Sequence, residues 1–309
     1  MQTPVGEFMS EREINFKSLE IEIDSAIERA EVTRILHGRG GTYPGLEEVN
    51  IDLYPPAIFV SQFKDEDISD LRSFLIVKYS TRNTVIFQER FNRENSLTKF
   101  GNDLPNPHSV KEHSAKYLVN LASNQNTGLF LDMREKRAEL IENCRGLDIL
   151  NLFSYTCSLS VAAMLGGANK VVNIDQKKSF LNIGRENHRL NGIEGSVIYK
   201  NWDVLKSHNQ IGRLGPFDLI ICDPPSNQGK SFYYKKDYAK IIKKLGGYLK
   251  PEGQFMACLN SPFESTQFLK DLFLSDEREW EFLREEFSAE AFREKDKAQG
   301  LKICTFKLL

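Results

Sequence analysis

Apolar residues recur along this chain with two periods. One spaces them three and four apart, as on one face of a helix; the other alternates them or packs them into short runs, as in strands. From the N-terminus, residues 1–14 are polar and read as loose, and Asn15 to Ile35 carries a helical pattern that stops at the glycine-rich turn His37 to Gly41. Val49 to Tyr54 alternates and Ala57 to Phe63 is apolar, which predicts a hairpin about Pro55-Pro56. A helix is expected over Asp65 to Tyr79 and a strand over Thr84 to Phe91. Residues 92–111, rich in Asn and Pro, read as a linker. Strands at Lys116 to Leu121 and Gly128 to Leu131 would flank a polar turn at 123–127, and Asp132 would cap a helix through Asn143. A boundary near residue 110 divides the chain into 1–110 and 111–309.

Beyond that boundary the alternation becomes regular. Asp148 to Phe153 is a short apolar strand, Ser154-Tyr155-Thr156 a turn, and the small-residue helix after it ends at Gly166-Gly167. Gly167 suits the left-handed cap. Lys170 to Ile174 is a strand that ends on Asp175, followed by a helix over Lys177 to Leu190 and a strand over Ser196 to Lys200. Phe217 to Cys222 is an apolar strand ending in Asp223-Pro224-Pro225-Ser226. A helix over Tyr234 to Leu249, a strand over Gln254 to Leu259, a helix over 264–275 and strands near 280–286 and 301–308 complete the chain. Strands alternating with helices give an α/β fold, a parallel sheet wound on both faces, with room for an antiparallel pair at one edge.

Composition narrows the class. Hydrophobic residues at 40% and charged residues at 27% are those of a soluble globular protein. The net charge of −2 means any nucleic-acid surface is a local patch. Five cysteines, mostly in apolar runs and without CxxC spacing, read as free thiols in a reducing compartment; no disulfide frame and no metal site is expected. No apolar leader and no run long enough to span a bilayer is read, so the expected location is cytoplasmic.

Ligands in doubly wound sheets bind at the carboxyl ends of the strands. Standing there are Phe153-Ser154-Tyr155, then Asp175, Asp203, Asp223-Pro-Pro and Asn260. Asp175, at the tip of a second strand, suits a ribose diol. Asp203 beside Trp202 suits an adenine amine, and equally a helix cap. Pro224 and Pro225 stiffen their loop and leave its carbonyls free to accept hydrogen bonds. Phe232, Tyr233 and Tyr234 could stack an extruded base or simply pack the loop, and Lys230, Lys235 and Lys236 could meet phosphates or solvent. Cys258 reads either as a small buried hydrophobe or as a nucleophile. His37 and Arg39 read as structural parts of their turn. A GxGxxG fingerprint is absent, which argues against a nicotinamide enzyme.

Taken together, several motifs resemble the class I S-adenosylmethionine-dependent methyltransferases, and within them the bacterial branch that modifies cytosine C5 or guanine N7 of large-subunit ribosomal RNA. The pieces are Asn126 to Arg134, Leu150 to Thr156, Asp175, Asn187 with Asn191, Asp203, Asp223-Pro-Pro225 and Asp237-Tyr238. His37-Gly38 and Tyr43 to Leu46 resemble the branch's small N-terminal domain, so the likeness runs from about residue 35 onward. It implies a Rossmann-like methyltransferase domain with a seven-stranded mixed sheet, preceded by a small α+β domain with a role in substrate recognition. It further implies S-adenosyl-L-methionine as cofactor, held by Phe130, Arg134, Asn151, Phe153, Ser154, Tyr155, Thr156, Asp175, Asp203 and Asp223.

Three departures stand out. Cys157 and Ser158 replace two glycines that follow the Phe-Ser-Tyr-Thr motif in that family, Asn126 replaces a Lys, and no PUA-like module is read ahead of the N-terminal domain. Where the C5-cytosine enzymes carry a catalytic cysteine, spacing from Gly253 places Asn260. Pyrimidine C5 needs a thiolate adduct, whereas a base nitrogen has its own lone pair. The expected reaction is therefore methylation of a base nitrogen in ribosomal or other structured RNA, with Asp223, Pro224, Pro225 and Asn260 at the reacting end. The competing expectation is a methyltransferase-fold protein that acts on a protein or serves as a non-catalytic assembly factor. A monomer or homodimer would satisfy either.

Overall fold

A computed structural model describes residues 16–92, 96–122, 126–228 and 232–309. It divides into two compact units, residues 1–104 and 105–309.

The N-terminal unit opens with α1 (Phe16–Arg29) and β1 (Thr33–His37). The helix expected to reach Ile35 stops early, because Ala30 turns left-handed (φ 52°) and the branched residues beyond it pair as a strand. There follow β2 (Val49–Tyr54), β3 (Ala57–Gln62), α2 (Ser69–Tyr79), β4 (Thr84–Glu89) and β5 (Leu97–Phe100), which lie in one sheet in chain order. β2 and β3 form the expected hairpin, and β3 and β4 run parallel across the α2 crossover. Leu19 and Ile23 of α1 and Leu71 and Leu75 of α2 pack on Ile51, Leu53, Ile58, Val60, Val85 and Phe87.

The second unit begins with the hairpin β6 (His108–Glu112) and β7 (Ala115–Val119). β6 lies in the stretch read as linker, and 128–131 forms no strand. Hydrophobic periodicity misses β6 because its buried positions are Val110 and a charged residue, Glu112. Glu112 accepts from Nε and Nη2, one edge of the Arg137 guanidinium of α3 (Arg134–Asn143), and both side chains are fully buried. Arg137 also donates to the Phe130 carbonyl at 2.9 Å, so one guanidinium ties hairpin, loop and helix together. Asp132 does not cap this helix: a 3₁₀ turn over Leu131–Met133 intervenes, and Met133 takes the cap position without a side-chain bond.

The central sheet is built from β8 (Asp148–Leu152), α4 (Ser158–Leu165), β9 (Lys170–Ile174), α5 (Lys178–Leu190), β10 (Val197–Lys200), α6 (His208–Gly212) and β11 (Phe217–Cys222). A two-residue pair, β12 (Asn227–Gln228) and β13 (Phe232–Tyr233), precedes α7 (Tyr234–Leu245). β14 (Leu249–Leu259), α8 (Thr266–Leu274), β15 (Trp280–Phe287) and β16 (Lys302–Leu308) close the unit. Lys250 to Gly253, between the helix expected to run to Leu249 and the strand expected from Gln254, belongs to β14 as an irregularity with Glu252 left-handed. The strand order is β10-β9-β8-β11-β14-β16-β15, seven strands in which β16 runs antiparallel to both of its neighbours. This is the mixed sheet expected of a Rossmann-like methyltransferase domain.

Alternate residues of each strand feed two cores. Ile149, Val171, Ile221 and Met256 face Leu140 of α3 and Ala162 and Ala163 of α4. Leu150, Val172, Ile220 and Phe255 face Ile241 and Ile242 of α7 and Leu269 of α8. Covering both faces is what allows parallel strands of nearly continuous apolar sequence.

Replacing Glu112 with Leu leaves Arg137 charged and unpaired in the interior. Denaturant unfolding should show a loss of about 3–5 kcal/mol, and a double Glu112→Leu/Arg137→Met variant should recover most of it.

Candidate active site

Four strand tips, those of β8, β9, β11 and β14, converge on one cavity of about 340 Å³. That is the size range of a small-molecule site. Its floor is the turn from β8 into α4. Three residues of that turn that are not glycine adopt left-handed backbone: Phe153 (φ 56°), Tyr155 (φ 47°) and Cys157 (φ 62°). Such positions cost on the order of 1 kcal/mol or more each and persist only where the surroundings hold them.

Asp175 does the holding. Its carboxylate accepts from the Tyr155 amide at 2.9 Å and from the Lys177 amide at 2.8 Å, joining the tips of β8 and β9. Burial raises its carboxyl, and the two amide donors and the Lys177 charge oppose that rise. Cys157 fills the space over α5 that Gly184 leaves: a Cβ at Gly184 would stand 2.5 Å from Cys157 Sγ and 3.0 Å from its Cβ. A left-handed cysteine, at the position where the resemblance noted above would put glycine, is thus matched by a glycine inside a helix, a pairing that neither residue shows alone.

Of the residues expected at the cofactor, Asn151, Phe153, Ser154, Tyr155 and Asp175 line the cavity, as do Phe130 and Asp223. The Tyr155 ring stands edge-on to Phe180 at 4.5 Å and tilted to Phe130 at 5.3 Å, forming an aromatic wall. Thr156, Asp203 and Arg134 lie off the cavity wall. Thr156 Oγ1 donates to the Gly128 carbonyl at 2.6 Å, fixing the loop that leads to Phe130. Asp203 Oδ1 accepts from the Leu205 and Lys206 amides at 2.9 and 3.2 Å and so closes the turn over 204–206; it caps no helix, since α6 starts at His208 behind Ser207. Arg134 lies 4.0 Å from Glu112. Asn187 of α5 and Asn191 just past its end accept from the Leu118 and Lys116 amides, both at 2.8 Å, and so dock the β6–β7 hairpin.

The opposite wall is Asp223-Pro224-Pro225-Ser226 with Asn260. Ser226 Oγ donates to the Asn260 carbonyl and clips the two loops together. Burial, and secondarily the nearby Asp132 charge, push the Asp223 carboxyl up to about 7. Asp132, expected from the sequence as a helix cap, lines the cavity instead. Cys258 and Cys222 are fully buried, and burial holds both thiols well above their ordinary range, so neither is an available thiolate. Phe232 is also buried, 5.1 Å from Phe153, and supports the turn instead of facing a substrate. Tyr234 is buried, Tyr233 remains 43% exposed, and Lys235 pairs with Glu264. Lys230 lies outside the described residues.

The lining therefore carries three carboxylates, Asp132, Asp175 and Asp223, against one lysine, Lys177, beside an aromatic wall. That donor set fits a cationic nucleoside. Among the described residues no cluster suited to a metal ion occurs.

A family profile described as S-adenosylmethionine-dependent methyltransferase matches residues 33–307. A protein of Shewanella loihica named ribosomal RNA large subunit methyltransferase K/L is 38% identical over 151 residues, covering 47% of this chain and 21% of that protein. Its namesake in Acinetobacter baylyi is 34% identical over 183 residues, 54% of this chain and 24% of that protein. The chain thus spans about a fifth to a quarter of these relatives' length. In fold, it resembles a methyltransferase solved in complex with SAH, with a TM-score of 0.82 and 24% identity over 96% of this chain and 83% of that one. It also resembles the tRNA m1G37 methyltransferase of M. jannaschii, with a TM-score of 0.62 and 14% identity over 84% of this chain and 74% of that one.

Two outcomes test this geometry. Gly184→Ala would ordinarily stabilise a helix interior by about 1 kcal/mol. Here it should destabilise, and in a Cys157→Gly background the sign should reverse, read by thermal unfolding of the four proteins. Because the Asp223 carboxyl is raised on folding, its favourable contribution is complete below the unfolded value near 4 and is lost as pH climbs through about 7. Asp223→Asn should then stabilise the ligand-free protein at pH 8 by about 2–4 kcal/mol and at pH 4 hardly at all, as measured by denaturation at the two pH values.

Proposed function

The chain belongs to the S-adenosylmethionine-dependent methyltransferase family, and from that premise we propose that it methylates a base nitrogen of structured RNA, with ribosomal RNA the favoured substrate. The observation that carries this reading is the wall of the cavity facing the Tyr155 turn. It holds a carboxyl, a diproline and an amide, Asp223 to Pro225 and Asn260, while the nearest thiols are buried and held protonated. Such a wall suits an acceptor that brings its own lone pair and does not suit a carbon that needs a covalent adduct. The names of the curated relatives support RNA as the substrate class.

S-adenosylmethionine supplies an electrophilic methyl group on a sulfonium, open to in-line displacement. The Asp175 carboxylate would address the ribose hydroxyls, and the Phe130, Tyr155 and Phe180 wall would flank the base. Asp132 and Asp223 would favour the positive charge. Asp223 and the Pro224 carbonyl would accept hydrogen bonds from the acceptor base and fix its orientation, where most of the rate enhancement of a bimolecular displacement arises. With its carboxyl near neutrality, Asp223 is also suited to take the proton that the methylated nitrogen releases. Tyr233, exposed beside this loop, would stack an extruded base. The N-terminal unit would take part in recognising the RNA.

Purified protein with labelled S-adenosylmethionine should transfer label to ribosomal RNA from a strain lacking this chain, and modification mapping should find one nitrogen-methylated base missing from that strain. Label on a protein, or on no RNA, would overturn the reading. Asp223→Ala should abolish transfer while leaving cofactor affinity within about tenfold, whereas Asp175→Ala should weaken cofactor binding first.

A further inference from the structure

Behind the cavity, a line of buried polar side chains crosses the layer between the sheet and α4. Asn151 of β8 and Asn173 of β9 are cross-strand neighbours, and Ser160 of α4 and His188 of α5 continue the line. All four are at most 3% exposed, in an otherwise apolar layer. Asn151 alone of the four lines the cavity. Buried polar groups are retained only when they are satisfied, and here the direction of each bond follows from the last.

His188 Nδ1 stands 2.7 Å from the Gly184 carbonyl, which only accepts, so Nδ1 carries the proton. Burial keeps this imidazole below its ordinary range and hence neutral, which leaves Nε2 bare. Ser160, 2.9 Å away, must therefore donate its hydroxyl to Nε2. Its oxygen is left to accept, and it accepts from Asn173 Nδ2 at 2.9 Å. Asn173 Oδ1 in turn accepts from Asn151 Nδ2 at 2.9 Å. The amide of Asn151 cannot flip without placing oxygen against oxygen, and no hydrogen bond from the described residues reaches its Oδ1.

We propose that His188, Ser160 and Asn173 are positioning residues that lock Asn151 with its carbonyl oxygen toward the cavity, as the acceptor for the ammonium group at the amino-acid end of the cofactor. The inference rests on the cofactor reading above. An ammonium is a donor only, so an Asn free to turn its NH₂ outward would repel it. A backbone carbonyl four residues from the imidazole thus sets the polarity of a cavity group through three side chains, none of which touches the ligand.

Calorimetric titration of the full chain tests this with two ligands: S-adenosylhomocysteine, which carries the ammonium, and 5′-methylthioadenosine, which lacks the amino-acid end. Ser160→Ala should weaken the first about tenfold and leave the second within about twofold, the loss of one charge-assisted hydrogen bond. Asn151→Leu should do the same, and Ser160→Ala/Asn151→Leu should be no weaker than Asn151→Leu alone. Equal weakening of both ligands, or penalties that add, would make the network merely structural and overturn the proposal. Nitrogen NMR of His188 should show Nδ1 protonated and Nε2 bare at neutral pH; the other tautomer overturns it without any variant. If the wild-type chain binds neither ligand, the cofactor reading falls, and this inference with it.

Discussion

The Asp175 carboxylate is the constraint on which the site depends. One amide hydrogen bond, from Tyr155, anchors a turn in which three non-glycine residues are left-handed, while a second, from Lys177, fixes the carboxylate at its own strand tip. Without a fixed acceptor, nothing in a Phe-Ser-Tyr-Thr-Cys sequence favours that backbone, and relaxed alternatives would swing Tyr155 and Phe153 off the cavity. The same carboxylate lines the pocket, so the group that shapes the turn is also exposed to ligand. Its remaining hydrogen-bonding capacity, after two backbone donors, is what a ribose diol could use.

Much of the second unit was legible because its signals are local and apolar. Short Val, Ile and Leu runs bounded by Asp, Gly or Pro gave the strands of the sheet and the tips that carry chemistry. Elements failed to show where burial is polar. β6 buries a glutamate against an arginine, and no hydrophobic count finds a strand whose inward face is half an ion pair. Asp132 and Asp203 look alike in sequence, acidic residues that could each cap a helix. Only the fold shows that the first lines the cavity while the second is spent on its own turn. Phe232 and Tyr233 are adjacent, yet the pairing of β12 with β13 turns one into the core and one outward, a parity no motif encodes.

Charge in the cavity is arranged at a cost. Burial of acidic groups in a small volume disfavours their ionisation: it raises the carboxyls of Asp175 and Asp223, and at Asp223 the neighbouring Asp132 charge adds to the rise. A protein that needed only a stable fold would carry amides there. The cost is offset when a cation enters, because a ligand that favours the ionised forms lowers their affinity for protons and is itself bound more tightly. Acidity in this cavity and a cofactor bearing two positive centres are therefore one statement made from opposite sides.

Where the acceptor must come from follows from the same geometry. A sulfonium displacement needs the incoming atom in line and dry, and the wall that would receive it is rigid: a diproline clipped to Asn260 through Ser226. A rigid wall selects for planar acceptors that fit without adjustment, as bases do, over flexible side chains that must be immobilised. An Asp-Pro-Pro loop alone would be equally consistent with either kind of substrate. Tyr233, exposed shortly beyond that loop in the chain, offers a flat ring suited to a stacking partner, which favours the base acceptor proposed above over an extended polypeptide.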